Sequence, residues 1–549
     1  VISGGQRHEV REATVAAARE GFADRIGSMV RSMAKAGPMT AYEWWLICEE
    51  FLDYLGALSA GTPDLDTPEA RAAFGNAAEA AAGAVAYAAY HPFAGFSVYL
   101  DYVDFGITYG PEPGGTPQPI TADRWLDAFC LAVLAGTAER HGEAFHFARG
   151  TAQEELVDGL MAYVIGDTEE PRAATDATLP HATAVHALRA LEAGDQETFR
   201  TALAELLLRH RALHGPGDRP RTLLPLLPLA LAALAYRRQG WPPPETGYLP
   251  RALVTGFATA GPRVRAYGRE RRPDAVAELA AGPVVVRRPG PPGFLHPESE
   301  ALFEEYTREA FTPEDGKPLD PRGLSTALRY QELLFVARAG LSDDVTDGQL
   351  ANLRLASQLG AALFRVALAE PGAGVEVTID GRTLAYPAHR AAEPGTWHTA
   401  VNFALITGTR EDLAPVVVAG SAALRQDGSA FASYRRALHD YLRGADPEPA
   451  TDQALHDCDK ARTWGFFPPP AVLLAQLVEG DQESFNLALL DALDAHRDHY
   501  GVADRADDSE AAINLDVLAL ACHARRRGWD VQVVSPYLPA GLLRAARPR

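Results

Sequence analysis

Apolar positions recur at helical spacing along most of the chain. From Glu12 to Ala36 they fall at Val15, Ala18, Phe22, Ile26, Met29 and Val30, which predicts a helix ended by Pro38. Thr40 can cap a second helix through Tyr42, Trp44, Trp45, Ile47, Phe51, Leu55 and Leu58. Asp66-Thr67-Pro68 opens a third, which runs through an Ala-rich stretch to Tyr90. There the period changes from helical spacing to two. Phe96 to Tyr109 alternates and is rich in β-branched and aromatic residues, which predicts a hairpin, followed by a Gly/Pro-rich loop over Gly110 to Pro119. Helical spacing returns over Ala122 to Ala138, Glu154 to Ile165 and His181 to Ala193.

The same order of patterns then repeats. Leu324 to Ala339 stands where the Trp44-Trp45 helix stood, and Thr346 to Leu368 follows. Val375 to Leu384 alternates across Asp380-Gly381, a strong hairpin signal. Trp397 aligns with Trp125, Gly408-Thr409 with Gly136-Thr137, and Tyr441 and Gly444 with Tyr163 and Gly166. Between the copies, Val276 to Gly293 is Pro/Gly-dense and reads as a linker. The expected fold is mainly α: two homologous helical lobes, each with an inserted β-hairpin, related by a pseudo-twofold axis. The division is residues 1–275, a 276–293 linker and residues 294–549.

The copies agree best over one stretch. Gly194-Asp195-Gln196-Glu197-Thr198-Phe199, His210-Arg211, Arg237-Arg238-Gln239-Gly240-Trp241 and Tyr248-Leu249-Pro250 recur as Gly480-Asp481-Gln482-Glu483-Ser484-Phe485, His496-Arg497, Arg525-Arg526-Arg527-Gly528-Trp529 and Tyr537-Leu538-Pro539. Most of this is helix grammar. Asp195 and Asp481 are placed as N-caps. Phe199, Leu203, Leu207 and His210 share a face, as do Phe485, Leu489, Leu493 and His496. Gly215 and Gly501 can stop those helices, and the arginines before Gly-Trp suit a helix C-terminus. His210, Arg211, His496 and Arg497 are also the natural candidates for a paired binding site, with Trp125 and Trp397 as stacking partners.

Charge and motifs narrow the function. The chain has 549 residues and a formal net charge of −21, which argues against nucleic acid as a direct partner and fits either solubility or a basic macromolecular partner. Cys48, Cys130, Cys458 and Cys522 are scattered without CxxC spacing, which points to a reduced, cytoplasmic compartment; Cys48, Cys130 and Cys522 read as buried. Val1 to Arg11 lacks a signal-peptide pattern, and the most apolar run, Leu223 to Ala235, is too short to span a bilayer. His210 and His214 stand at i and i+4 but His496 and His499 at i and i+3, with no HExxH, so no metal is expected. GxSxG, GxxxxGK[ST] and a strand-borne GxGxxG are missing, so no catalytic residue and no cofactor is assigned. The acidic runs Asp343-Asp344, Glu411-Asp412 and Asp504 to Glu510 are candidate contact surfaces.

The combination Gly-Asp-Gln-Glu-Ser/Thr-Phe, His-Arg, Arg-Arg-x-Gly-Trp and Tyr-Leu-Pro resembles the immunity 49 family, as does His496-Arg497-Asp498-His499-Tyr500-Gly501. The resemblance is clearest over Pro468 to Pro539, holds over the second half, and is weaker but traceable over the first, where Pro216 to Leu229 replaces Val502 to Val517. This family occurs widely in actinobacteria and other bacteria. The resemblance implies a cytoplasmic immunity protein of a polymorphic toxin system. Such a protein neutralises its toxin, often a basic nuclease-type domain, by stoichiometric binding. The rival reading is an enzyme of bacterial specialised metabolism on the same scaffold, with its active site in a cleft between the lobes.

Overall fold

The first predicted helix is two. In the computed structural model Glu12–Arg19 and Phe22–Ala36 are separated at Gly21, whose φ of 55° is a left-handed conformation that interrupts the helical run. The model describes residues 7–149, 155–166, 181–257, 261–289, 297–313, 319–390, 393–407, 409–463 and 466–546. Glu154, residues 290–293 and Gly408 of the sequence reading lie outside them.

Contacts divide the chain into two compact units, Val1–Thr259 and Ala260–Arg549. Both are mainly helical, and each carries one antiparallel hairpin early. In the first unit, Ala41–Gly61 opens on a capping box: the Thr40 hydroxyl caps the first turn while the Thr40 amide donates to Glu43 Oε2 at 2.8 Å. Pro68–Tyr90 is capped by Thr67. The hairpin pairs Phe96–Leu100 with Phe105–Tyr109, from Phe96 opposite Tyr109 to Leu100 opposite Phe105. It lies on Pro68–Tyr90, where small residues let it approach closely: a Cβ on Gly83 would meet Val98 Cγ1 at 2.7 Å.

The second unit repeats these devices. Thr346 and Gln349 form the capping box of Asp347–Leu368. Gly374–Ile379 pairs with Arg382–Pro387 around Asp380 (φ 49°) and Gly381 (φ 72°), a turn that needs two left-handed residues. Residues 261–289 are built into this unit. Val284–Val285 runs parallel to Val533–Val534, with Val284 N–H donating to Gln532 O and Val286 N–H to Val534 O, both at 3.0 Å. Gly268 N–H donates to Gln476 Oε1 at 2.8 Å, and Arg263 Nη1 lies 2.9 Å from Asp491 and 2.8 Å from Asp494. The division between units thus falls ahead of the 276–293 stretch.

Of the two expected glycine stops, Gly501 caps its helix and Gly215 does not. Gln196–Leu213 ends on extended His214, and the Gly215 amide beyond it donates to Asp218 Oδ2 at 2.8 Å. Gln482–Tyr500 runs to Gly501 at φ −80°, and the left-handed turn is made by Ala503 (φ 54°). Cys48, Cys130 and Cys522 are buried and Cys458 is half-buried. Burial pushes the Cys48, Cys130 and Cys522 thiols up, so they stay protonated packing groups.

Candidate binding cleft in the second unit

The repeated stretch builds the same frame twice. Asp195 accepts from Thr198 N–H and Asp481 from Ser484 N–H, each at 3.1 Å. The Phe199–Trp241 and Phe485–Trp529 ring centroids both lie 5.5 Å apart. The arginines before Gly-Trp serve neighbouring helices rather than only their own. Arg237 donates to the Val133 and Leu134 carbonyls, at the end of Ala122–Ala135, each at 2.7 Å. Arg526 donates to Leu405 and Ile406, at the end of Pro394–Thr407. Counted from Trp125 and Trp397, these are the same two carbonyls, so Arg526 takes the part of Arg237 although the motif aligns it with Arg238.

That shared frame is matched by the comparison with known families. The family described as Immunity protein 49 matches residues 62–253 and again 342–542. The chain belongs to the Immunity protein 49 family. No curated protein and no solved structure matches it.

Where the two Immunity protein 49 copies differ, the second opens a cleft of about 270 Å³. Pro394–Thr407 supplies His398, Thr399 and Asn402, while Trp397 on the same helix turns into the core and donates to Val416 O at 2.9 Å. Asp516 stands in the first turn of Leu515–Arg526, where the helix dipole favours a carboxylate. His398 Nε2 lies 2.9 Å from Asp516 Oδ1, and Asn402 Nδ2 donates to that oxygen at 2.6 Å. Burial pushes the Asp516 carboxyl up, but His398 and the hydrogen bonds from His398 and Asn402 outweigh it and hold it below the usual range. Tyr434 packs its ring 5.7 Å from His398; burial, then the Asp516 charge, raises its phenol.

The other wall carries both signs of charge. Arg435 reaches Asp427 Oδ2 at 2.9 Å, and Arg329 reaches Glu332 Oε2 at 2.5 Å. Thr399 donates to Glu332 Oε1 at 3.3 Å. Glu510 sits on the turn Ser509–Ala512 and accepts from Tyr500 Oη at 3.1 Å. The residue is exposed. Desolvation, then Asp508, raises its carboxyl; the Tyr500 hydrogen bond works against this, Glu332 adds to it, and Arg329 opposes it. Phe431, Phe466 and Phe467 supply apolar surface.

His496 lines this cleft and Arg497 does not. The ring is 1% exposed, its nitrogens make no hydrogen bond of good geometry, and Phe467 and Tyr537 meet it edge-on at 5.6 and 5.0 Å. Burial, then His499, lowers its pKa to about 3, although the Ala511 and Glu510 carbonyls pull it upward. Arg497 turns away to Asp494 at 2.7 Å and Asp498 at 2.9 Å. Adjacent helix positions point about 100° apart, so the His-Arg pair is split.

The first copy places its residues differently. His210 is half-buried, with Nε2 2.7 Å from Thr222 O, and its ring lies 6.1 and 4.5 Å from those of His8 and His214. Burial lowers its pKa, the Thr222 carbonyl raises it and His214 lowers it. Arg211 is exposed beside a cavity of about 20 Å³ at Tyr248, room for one water. Trp125 is buried, donates to Phe145 O at 3.1 Å and stacks on Phe129. Leu126 and Cys130, both buried, occupy the places of His398 and Asn402. Among the described residues no group of three or more His, Cys, Asp or Glu is placed to hold a metal ion, and no helix is long and apolar enough to cross a membrane.

His398, Asn402 and Asp516 were missed by sequence reasoning, which reached Glu510 only as the end of the acidic run Asp504 to Glu510. A signal existed: His398 and Asn402, four apart and so on one helical face, are set against Leu126 and Cys130 in the other copy. Of the acidic runs, Asp344 is held by Gly541 N–H and Arg544, and Asp412 by Ser357 and Thr409; the third ends at the cleft with Glu510.

Proposed function

We propose that this chain neutralises a cognate toxin by binding it stoichiometrically in the cytoplasm, and that the toxin is basic and of nuclease type. Membership of the Immunity protein 49 family supports an immunity role with a toxin partner and is the observation that carries the reading. The net charge of −21 supports a basic partner, since an acidic surface accelerates encounter with a basic cleft and is complementary to it once bound. The test is to co-express the chain with the protein encoded beside it. Relief of toxicity and a complex of fixed stoichiometry are expected. A toxic neighbour left fully active, with no complex by light scattering, overturns the reading.

A second reading, an enzyme of specialised metabolism, draws on the paired His398 and Asp516 facing a cleft with perturbed acids. Its expected sign is turnover of a small molecule by the purified chain that is lost in His398→Gln.

A further inference from the structure

Within the cleft nearly every charge already has a counter-charge. Arg329 is held by Glu332 and Arg435 by Asp427, while Asp516 lies 2.9 Å from His398 Nε2 and accepts from Asn402 Nδ2. Glu510 is the exception. It accepts from the neutral Tyr500 hydroxyl, and among the described residues no cation reaches it at ion-pairing distance. Its nearest electrostatic company includes two further acids, Asp508 and Glu332. A carboxylate crowded by like charge and open on one side gains most from a cation delivered from outside.

A second observation points the same way. His496 is 1% exposed and lines the same cleft, and neither ring nitrogen makes a hydrogen bond of good geometry; only the Ala511 and Glu510 carbonyls approach the ring. A buried polar group left unmet costs free energy until something satisfies it. A neutral imidazole offers one acceptor nitrogen to an incoming N–H. The surrounding faces are aromatic: Phe467 meets both His496 and Tyr500, and Phe431 and Phe466 stand 5.9 Å apart at another wall. Carboxylate, imidazole acceptor and aromatic faces are a receptor set for a planar cation with several N–H donors.

We infer that the second-unit cleft receives an arginine side chain of the protein partner, its guanidinium held by Glu510 and Tyr500 and packed against Phe467. An anionic ligand fits less well, because it would have to displace Glu332 and Asp427 from the two arginines. The first unit offers no counterpart: Leu126 and Cys130 replace His398 and Asn402, and His214 stands where Tyr500 does. Only the second copy therefore takes the anchoring side chain. This rests on the toxin-binding reading for the identity of the partner, not for the chemistry of the cleft.

The experiment uses the full chain and two probes of nearly equal shape, N-acetyl-arginine amide and N-acetyl-citrulline amide, titrated by NMR or calorimetry. The arginine probe is expected to bind saturably and about tenfold tighter than the neutral citrulline probe. Glu510→Gln, which keeps the hydrogen bond from Tyr500, is expected to abolish that preference, and Glu510→Asp to retain part of it. Equal binding of both probes, binding of neither, or a preference unchanged in Glu510→Gln overturns the inference. Toxin binding is measured in parallel. A toxin that binds wild type and Glu510→Gln alike sinks the cleft assignment and leaves the proposed function standing. An arginine probe that binds where no toxin does has the opposite meaning.

Discussion

Asp195 and Asp481 show what duplication does to one residue. Each caps its helix through the same acceptor geometry, but Asp481 is also paired with Arg271, which reaches Glu483 as well at 2.7 Å. Asp195→Ala is expected to destabilise the chain by the loss of a cap alone. Asp481→Ala is expected to cost more, because Arg271 loses its partner too; denaturant midpoints for the two variants compare them directly. His496 carries a pH dependence whose sign is fixed. Its folded pKa, about 3, lies below the ordinary value of 6.5, so the unfolded chain binds the extra proton. The stability it contributes is complete above about pH 6.5 and falls by up to ~1.4 kcal/mol per pH unit as the pH drops toward its folded pKa. Urea titrations at pH 7 and pH 5 should show a shallower loss in His496→Gln than in wild type. His523, lowered to about 4 by burial and then by Arg527 and Arg526, leaves a remaining slope of the same sign. The helical face of His496 was legible from spacing alone. Its separation from Arg497 follows from the same spacing, yet adjacency in the motif hides it.

At the scale of elements, the arginines before Gly-Trp tie one helix to the end of another. The unsatisfied carbonyls at a helix C-terminus need donors, and a guanidinium supplies two in a fixed fork. Arg526→Ala leaves the Leu405 and Ile406 carbonyls without them and is expected to cost about 2–3 kcal/mol. Arg526→Lys should recover less than half, since an ammonium lacks the fork, and thermal melts of the two variants separate charge from geometry. The helices and both hairpins were readable from period and turn chemistry, because each is decided within a few residues. Asp380-Gly381 needed no tertiary help. The Arg237–Val133 and Arg526–Leu405 contacts were not readable, since they join residues over a hundred positions apart. The cleft fails for the same reason: His398, Glu510 and Asp516 come from three elements, and only their meeting makes a site.

For the whole molecule the duplication was legible and the place of residues 261–289 was not. The Pro/Gly density of 276–293 describes a linker well, but Val284 within it, and Arg263, Gly268 and Arg271 ahead of it, all bond within the second unit. A chain starting at residue 260 should therefore be more stable than one starting at 294, by several kcal/mol, because the shorter one leaves Asp491 and Asp494 without Arg263 and Val533 without its strand partner. Circular dichroism melts of the two fragments measure the difference; equal midpoints would show that the segment contributes nothing.

The parallel pairing of Val284–Val285 with Val533–Val534 has a consequence for synthesis. A ribosome releases the first strand long before it makes the second. Throughout that interval the Val284 and Val286 amides wait for carbonyls not yet translated. The first unit, whose residues all precede it, can finish folding while the second is still being made. The second closes only once its last turns have cleared the exit tunnel, so a nascent chain stalled before Val533 would carry one finished unit and an open strand edge.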